Sequence, residues 1–152
     1  MEKVLISKCL AGFNCRYDGG NNLVPEIRQL LEDGLAVTAC PEQLGGLPTP
    51  RIPSERVGNR VVNREGTDVT AEFKAGAEAA LRIARENSCR TAILKSRSPS
   101  CGKCCIYNGQ FTGELVPGNG VTADLLLQHG IEVLTEEEFL AQQTEKQEKS
   151  RV

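Results

Sequence analysis

The sequence predicts an α/β protein: one Rossmann-like domain with a parallel sheet of about four strands and helices on both faces. Three observations indicate this fold class. Short apolar runs alternate with segments of helical periodicity along the chain. Loops rich in glycine and proline separate these segments. The 152 residues are enough for one hydrophobic core, and they contain no internal repeat and no linker between domains.

The first half of the chain is predicted to supply two strands and one helix. Residues 3–8 (KVLISK) and 35–40 (LAVTAC) are short apolar runs consistent with buried strands. Between them, residues 24–34 fit a short helix with a proline in its first turn and a glycine at its end. Residues 41–55 are rich in proline and are predicted as a loop, whereas residues 57–63 fit a small hairpin or an edge strand.

The second half repeats the alternation of helix and strand. Residues 68–87 are predicted as the longest helix, because apolar side chains recur at helical spacing on one face. A third strand follows at 91–96, then a helix at 121–130 and a fourth strand at 131–134. Within the intervening loop, 97–118, the tetrapeptide YNGQ predicts a small β-hairpin with a type I′ turn.

The C-terminal segment begins with a helix signal and ends in polar residues. Thr135 and Glu138 form the sequence of a capping box, which predicts the start of a helix. The last residues are strongly polar and are predicted as a frayed tail. The folded domain is therefore expected to span residues 1–140, followed by a tail at 141–152.

Charge and hydropathy exclude several classes of function. The chain has 18 basic and 20 acidic residues and a net charge of -2, which makes nucleic acid an improbable partner. No apolar run approaches the roughly 18 residues of a membrane-spanning helix. The N-terminal MEKVLISK lacks the apolar core of a secretion signal. We therefore expect a cytoplasmic protein with no membrane partner.

Seven cysteines require an explanation in such a protein. A disulfide framework is disfavoured, because the number is odd, the expected compartment is reducing and the chain is long enough to fold without cross-links. The thiols are then inert core residues, redox groups or metal ligands. Cys101 and Cys104 form a C-x-x-C motif, for which a redox pair is the commonest alternative to a metal site.

The positions of three cysteines favour a metal centre. Cys9 follows the first predicted strand, Cys40 ends the second, and Cys101 lies shortly after the third. Because ligands bind at the carboxyl ends of the strands in open α/β sheets, these thiols are expected at one edge. A metal centre offsets the repulsion between three thiolates, and zinc or an iron–sulfur cluster suits sulfur ligands. Cys89 precedes the third strand at the opposite edge and is predicted to be structural.

Two polar residues beside these thiols are candidates for catalysis. Glu42 lies two residues after Cys40 and can act as a general acid or base; the alternative is a solvated loop charge. Ser98, in SPSCG, can hydrogen-bond a substrate, although a serine turn explains it equally well from the residues alone. Lys95 ends the third strand and can bind an anion or extend towards solvent.

The chain resembles a bacterial family long known as a domain of unknown function, which includes the thiouracil desulfidases. The resemblance rests on three motifs and extends to about residue 139. The motifs are SKCLAGFNCRYDGG (7–20), CPEQLGGLPTPR (40–51) and LKSRSPSCG (94–102). Three long motifs in one order are far more specific than an isolated C-x-x-C.

The resemblance implies a cofactor and its ligands. Desulfidases of this family carry a [4Fe-4S] cluster bound by three cysteines, and its open iron takes the sulfur of a thiolated base. Matched motif by motif, the ligands are Cys9, Cys40 and Cys101, with Cys15 as the alternative to Cys9. Cys104 and Cys105 fall outside the matched motifs, so the resemblance implies no role for either.

The resemblance also implies catalytic roles and a reaction. Glu42 matches the family's proposed acid/base, and Ser98 matches its catalytic serine. The implied substrate is thiouracil or a related thioamide, in which water replaces sulfur and hydrosulfide is released via the cluster. Two alternatives remain: a sulfurtransferase that passes the sulfur to an acceptor, and a binding module stabilised by zinc or a cluster.

Overall fold

A four-stranded parallel sheet forms the centre of the computed structural model, which describes residues 2–150. In chain order, the strands of the protein are β1 (Val4–Ser7), β2 (Ala36–Ala39), β3 (Ser54–Val57), β4 (Arg60–Asn63), β5 (Thr91–Leu94), β6 (Cys105–Tyr107), β7 (Leu115–Pro117) and β8 (Glu132–Thr135). The helices are α1 (Pro25–Glu32), α2 (Pro41–Leu44), α3 (Thr70–Glu86), α4 (Val121–Gln128) and α5 (Glu136–Ser150). A short 3₁₀ helix, Lys8–Ala11, follows β1.

The central sheet confirms the predicted fold class. Its strands lie in the order β2-β1-β5-β8, and all three neighbouring pairs are parallel. The four predicted strands are therefore present: β1, β2 and β5 are each two residues shorter than predicted, and β8 is shifted by one residue. Because every strand runs the same way, all four carboxyl ends meet at one edge of the sheet.

Side chains that alternate along β1 divide the core between the two faces of the sheet. Leu5 belongs to a buried cluster with residues of α3 and α4, including Leu81 and Leu126. The next residue, Ile6, belongs to a second cluster with Ile27 of α1 and Phe139 of α5. Helices therefore cover both faces, as the alternation of helices and strands predicts.

Helix α3 carries the predicted apolar face and also holds α2 in place. Its residues Phe73, Ala77, Ala80, Leu81 and Ala84 are all buried. Gly76 lies so close to α2 that an added Cβ would stand 1.8 Å from the carbonyl oxygen of Pro41. In the reverse direction, a Cβ on Gly45 would stand 1.9 Å from the carbonyl oxygen of Glu72. The prediction of a loop is thus wrong for residues 41–44, which form one helical turn packed on α3 through two glycines.

Two antiparallel hairpins lie outside the central sheet. Strands β3 and β4 form the first, in agreement with the hairpin alternative predicted for 57–63. Strands β6 and β7 form the small hairpin predicted in the cysteine-rich loop. Its predicted type I′ turn is wrong, since residues 108–114 connect the two strands. The reason is a tertiary contact: a carboxylate oxygen of Glu55 in β3 accepts the backbone N–H groups of Gly109 (2.9 Å) and Phe111 (3.1 Å).

The predicted capping box begins the last helix. The Thr135 hydroxyl accepts the Glu138 N–H at 3.1 Å, and the Glu138 carboxylate accepts the Thr135 N–H at 3.0 Å. Helix α5 then continues to Ser150, so the segment 141–150 is helical and not a frayed tail. Residues 151–152 of the predicted tail lie outside the described residues. No helix between residues 2 and 150 is long and apolar enough to cross a membrane.

Candidate active site

A cavity of about 570 Å³ opens at the carboxyl edge of the central sheet. It is reached by the ends of three adjacent strands, since Ser7, Ala39 and Lys95 all line it. Its walls also contain every candidate named from the sequence for metal binding or catalysis: Cys9, Cys15, Cys40, Cys101, Glu42 and Ser98. Residues that are far apart along the chain are therefore brought together at the edge where a parallel sheet binds its ligands.

Each of the three predicted ligands comes from a different strand end. Cys9 lies in the 3₁₀ turn directly after β1, and Cys40 directly follows β2. Cys101 lies in the loop that follows β5 and is buried. Strands β2, β1 and β5 are neighbours in the sheet, which explains how their terminal thiols share one cavity.

A fourth thiol, Cys15, lies between two of the others. Interaction with the thiols of Cys40, foremost, and of Cys9 raises the pKa of Cys15 and lowers the pKa of each partner. With further help from the Gln43 backbone N–H and the charge of Arg51, the pKa of Cys40 falls to about 6. The Cys15 backbone carbonyl is fixed as well, because it accepts a hydrogen bond from Arg51 at 2.9 Å.

Cys101 has a different environment from the other three thiols. Burial raises the pKa of its thiol to about 12, although a hydrogen bond with the Ser7 hydroxyl acts in the opposite direction. The Ser7 oxygen in turn accepts the backbone N–H of Lys95 at 3.0 Å. Ser7 therefore joins the ends of β1 and β5 directly beneath the Cys101 sulfur.

The hydroxyl of Ser98 shapes the loop that carries Cys101. Its oxygen accepts the backbone N–H groups of Ser100 (3.1 Å) and Cys101 (3.0 Å), so the serine turn considered from the sequence is present. Both bonds use the oxygen as acceptor, which leaves the O–H free to donate towards the cavity that Ser98 lines. The turn and a contact with substrate are thus compatible roles for one side chain.

Glu42 lies in the first turn of α2 and is held by a buried arginine. Arg51 donates to its carboxylate at 3.1 Å, and the two side chains are only 5% (Arg51) and 19% (Glu42) exposed. The same guanidinium also bonds the Pro48 carbonyl (3.1 Å) and the Thr49 hydroxyl (2.9 Å). Arg51 thus fixes both the candidate acid/base and the loop of Cys15.

Aromatic and cationic side chains form one part of the cavity wall, here called the rim. Tyr17, Tyr107 and Phe111 line it, and the Arg64 guanidinium lies 5.5 Å from the centre of the Phe111 ring. The Glu55 carboxylate holds the loop that carries Phe111, because it accepts the backbone N–H groups of Gly109 and Phe111. The rim therefore offers flat apolar faces of the kind that pack against a heterocyclic ring.

The remaining cysteines lie elsewhere. Cys89 is buried in the core at the amino end of β5, as predicted. Cys104 is exposed and its neighbour Cys105 begins β6; neither lines the cavity. Within residues 2–150, no three histidine, cysteine, aspartate or glutamate side chains surround a position for a single metal ion.

Sequence reasoning did not identify Ser7 or Asn22 as part of the site. Ser7 lies inside the first motif and two residues before Cys9, which was an available indication. Asn22 lies just after that motif, and only the fold shows that its side chain faces Cys9.

Comparison with known proteins agrees with this geometry. A model of the 2-thiouracil desulfurase family matches residues 4–138, which is most of the chain. This chain belongs to the 2-thiouracil desulfurase family. The membership confirms the resemblance found in the three motifs and the prediction of an enzyme of the thiouracil desulfidase kind.

Two individual proteins resemble this family member over nearly their whole lengths. The uncharacterized protein YbbK of Bacillus subtilis (strain 168) is 43% identical over 146 residues, covering 90% of this chain and 97% of YbbK. A solved structure of TudS (DUF523), described as a [4Fe-4S]-dependent thiouracil desulfidase, is 46% identical. It superposes with a TM-score of 0.86 over 95% of this chain and 99% of that one.

Proposed function

We propose that this protein is an iron–sulfur-dependent desulfidase that acts on thiouracil or a related small thioamide. The observation that carries the proposal is the cavity at the carboxyl edge, whose lining brings Cys9, Cys40 and Cys101 together with Glu42 and Ser98. The solved relative TudS is described as [4Fe-4S]-dependent, which supports the same class of cofactor here.

The donor set fits such a cluster. All the candidate ligands are thiols, the ligands that iron–sulfur clusters prefer, and they come from three separate strand ends. We assign Cys9, Cys40 and Cys101 as the ligands, with Cys15 as the alternative to Cys9 because it lies within hydrogen-bond reach of both Cys9 and Cys40. Three ligands leave one iron open, and when bound the cluster supplies a Lewis acid for the soft sulfur of a thiocarbonyl.

The side chains of this chain would perform the proton transfers. Glu42 accepts a proton from a water molecule, whose oxygen forms the new bond to the thiocarbonyl carbon. The Ser98 O–H donates a hydrogen bond to the charge that develops on the substrate. The carbon–sulfur bond then breaks, sulfur leaves as hydrosulfide, and the base keeps an oxygen in its place. The exchange of sulfur for oxygen involves no net electron transfer.

The test is anaerobic reconstitution followed by assay with 2-thiouracil. Iron, acid-labile sulfide, uracil and released hydrosulfide are measured for the natural protein and for two cysteine variants. Cys40→Ala removes a proposed ligand, so iron content and product formation should both be lost. Cys89→Ala alters a core thiol at the opposite edge of the sheet and should retain both. Equal iron content in the two variants would overturn the ligand assignment.

The same assay separates the alternative functions. Release of hydrosulfide without an acceptor supports a desulfidase, whereas sulfur release that requires an acceptor supports a sulfurtransferase. Iron content with no turnover of any thiolated base supports a cluster-stabilised binding module. Comparison of Cys9→Ala with Cys15→Ala decides which of these two thiols binds iron. A cytoplasmic location stays a prediction.

A further inference from the structure

One residue outside the proposed catalytic set, Asn22, holds Cys9 at two points, once through its backbone and once through its side chain. The backbone N–H of Asn22 donates to the Cys9 carbonyl at 3.0 Å. The side-chain amide nitrogen of the same residue lies 3.5 Å from the Cys9 sulfur, within hydrogen-bond distance for sulfur. Asn22 also lines the cavity. It therefore fixes both the backbone and the sulfur of one proposed ligand.

The orientation of the Asn22 amide follows from its other partner. Arg16 donates to the Asn22 side-chain oxygen at 3.0 Å, and a guanidinium can only donate hydrogen bonds. The oxygen of the amide must face Arg16, so the NH₂ group must face the sulfur. The amide therefore cannot turn its oxygen towards Cys9, where it would repel a thiolate.

Arg16 is itself anchored within the same loop. Its guanidinium makes a two-point contact with the Asp18 carboxylate and donates to the Asn21 carbonyl at 3.3 Å. The hydrogen bonds from Arg16, with help from the Gly20 N–H, hold the pKa of Asp18 at about 2, so this ion pair persists at neutral pH. A fixed cation thus lies on the far side of the Asn22 amide and polarises its N–H towards Cys9.

We infer that Asn22 is a positioning residue for the cluster, whose amide N–H, oriented by Arg16, stabilises the ligand sulfur of Cys9. The inference rests on the proposed function, because it takes Cys9 as a ligand. Hydrogen bonds to ligand sulfurs withdraw electron density from them and are among the factors that set the reduction potential of a cluster. Partners of the ligands also slow the loss of the metal.

Two substitutions of Asn22 separate the sulfur contact from the fold. Asn22→Ala removes the amide but keeps the backbone N–H that bonds Cys9. Asn22→Asp keeps the shape and the acceptor for Arg16, but it replaces the N–H donor by a negative oxygen. Asn21→Asp is the matched control, because it adds the same charge to the adjacent residue. Asn21 is exposed and bonds Asn14 and the Leu23 N–H, with no contact to Cys9.

The readouts are the reduction potential of the reconstituted cluster and the rate of iron loss to a chelator. Circular dichroism checks that each variant is folded. We expect a more negative potential in both Asn22 variants than in the natural protein, with the larger shift in Asn22→Asp. Iron loss should be faster by about 10-fold or more, the usual scale for removing a partner of a metal ligand. If Asn22→Asp is folded but binds no iron while Asn21→Asp binds it, the inference is also supported.

The outcomes distinguish this inference from the proposed function. If the natural protein binds a cluster and both Asn22 variants match Asn21→Asp in potential and iron loss, the inference is overturned and the proposed function stands. If the natural protein binds no cluster, the proposed function fails and the inference with it.

Discussion

The carboxylate of Glu42 owes its position to a side chain that performs no chemistry itself. Arg51 is almost completely buried and bonds Glu42, Thr49 and two backbone carbonyls. An arginine with this many partners holds a fixed geometry at little further entropic cost. Substitution of Glu42 therefore tests its proton transfer with little disturbance of its surroundings.

At the residue scale, we predict that Glu42→Gln retains the cluster but lowers turnover by about 100-fold or more, the usual scale for losing a general acid–base group. Glutamine keeps the shape and can accept the bond from Arg51, but it takes up no proton at neutral pH. Iron content, substrate binding and turnover are measured together. Glu26→Gln is the matched control, because Glu26 also follows a proline in a first helical turn but is exposed. Near-normal turnover in Glu42→Gln would reduce Glu42 to a structural partner of Arg51.

Single residues also show how far the sequence could be interpreted. The positions of Cys9, Cys40 and Cys101 after strands were enough to predict their convergence, because parallel strand ends meet at one edge. The role of Ser98 could not be decided in this way. Its two backbone bonds depend on the path of the loop, and its place in the cavity depends on the whole fold.

At the scale of elements, the packing of α2 on α3 determines where the proposed ligand Cys40 and the candidate base lie. Cys40 immediately precedes α2, and Glu42 lies within it. The two helices approach so closely that neither Gly45 nor Gly76 has room for a side chain. A shift of α2 would therefore move the proposed ligand and the candidate base together.

We predict that Gly76→Ala lowers both stability and iron content. The new methyl group would meet the Pro41 carbonyl, and relief of such a clash costs about 1–3 kcal/mol. That cost exceeds the roughly 0.5–1 kcal/mol of helix propensity that alanine gains over glycine. Denaturant unfolding and iron analysis provide the measurement. Ala75→Gly, on the exposed face of the same helix, should lose stability through propensity alone and keep its iron. Unchanged stability and iron in Gly76→Ala would contradict the packing argument.

The elements that the sequence predicted least well depend on distant partners. The long helix and the parallel strands follow from local periodicity, and the structure confirms them within one or two residues. The conformation of the connection 108–114 does not follow from local sequence. Its Asn-Gly pair favours a tight turn, but the backbone N–H groups of Gly109 and Phe111 bond the distant Glu55 carboxylate. Helix α2 was likewise hidden, because a proline begins it and three more prolines follow it in the loop.

At the scale of the whole molecule, the cluster would join the ends of three strands. A ligand that binds only the native state stabilises it, by about 3 kcal/mol when the free ligand is at 100 times its dissociation constant. For a chain of this length, such a gain corresponds to a rise of about 5–10 °C in the melting temperature. We predict this rise on anaerobic reconstitution, measured by circular dichroism. Cys40→Ala, treated in the same way, should show none. Identical melting of loaded and cluster-free natural protein would contradict the prediction.

The parallel arrangement has a consequence for biosynthesis. Antiparallel hairpins assemble from neighbouring stretches of chain, but β2, β1 and β5 are neighbours only through long crossovers. A nascent chain that has not yet reached Cys101 cannot present all three ligands, whatever its local structure. On the proposed ligand assignment, a cluster can therefore be bound at all three cysteines only after Cys101 has been synthesised and β5 has paired with β1.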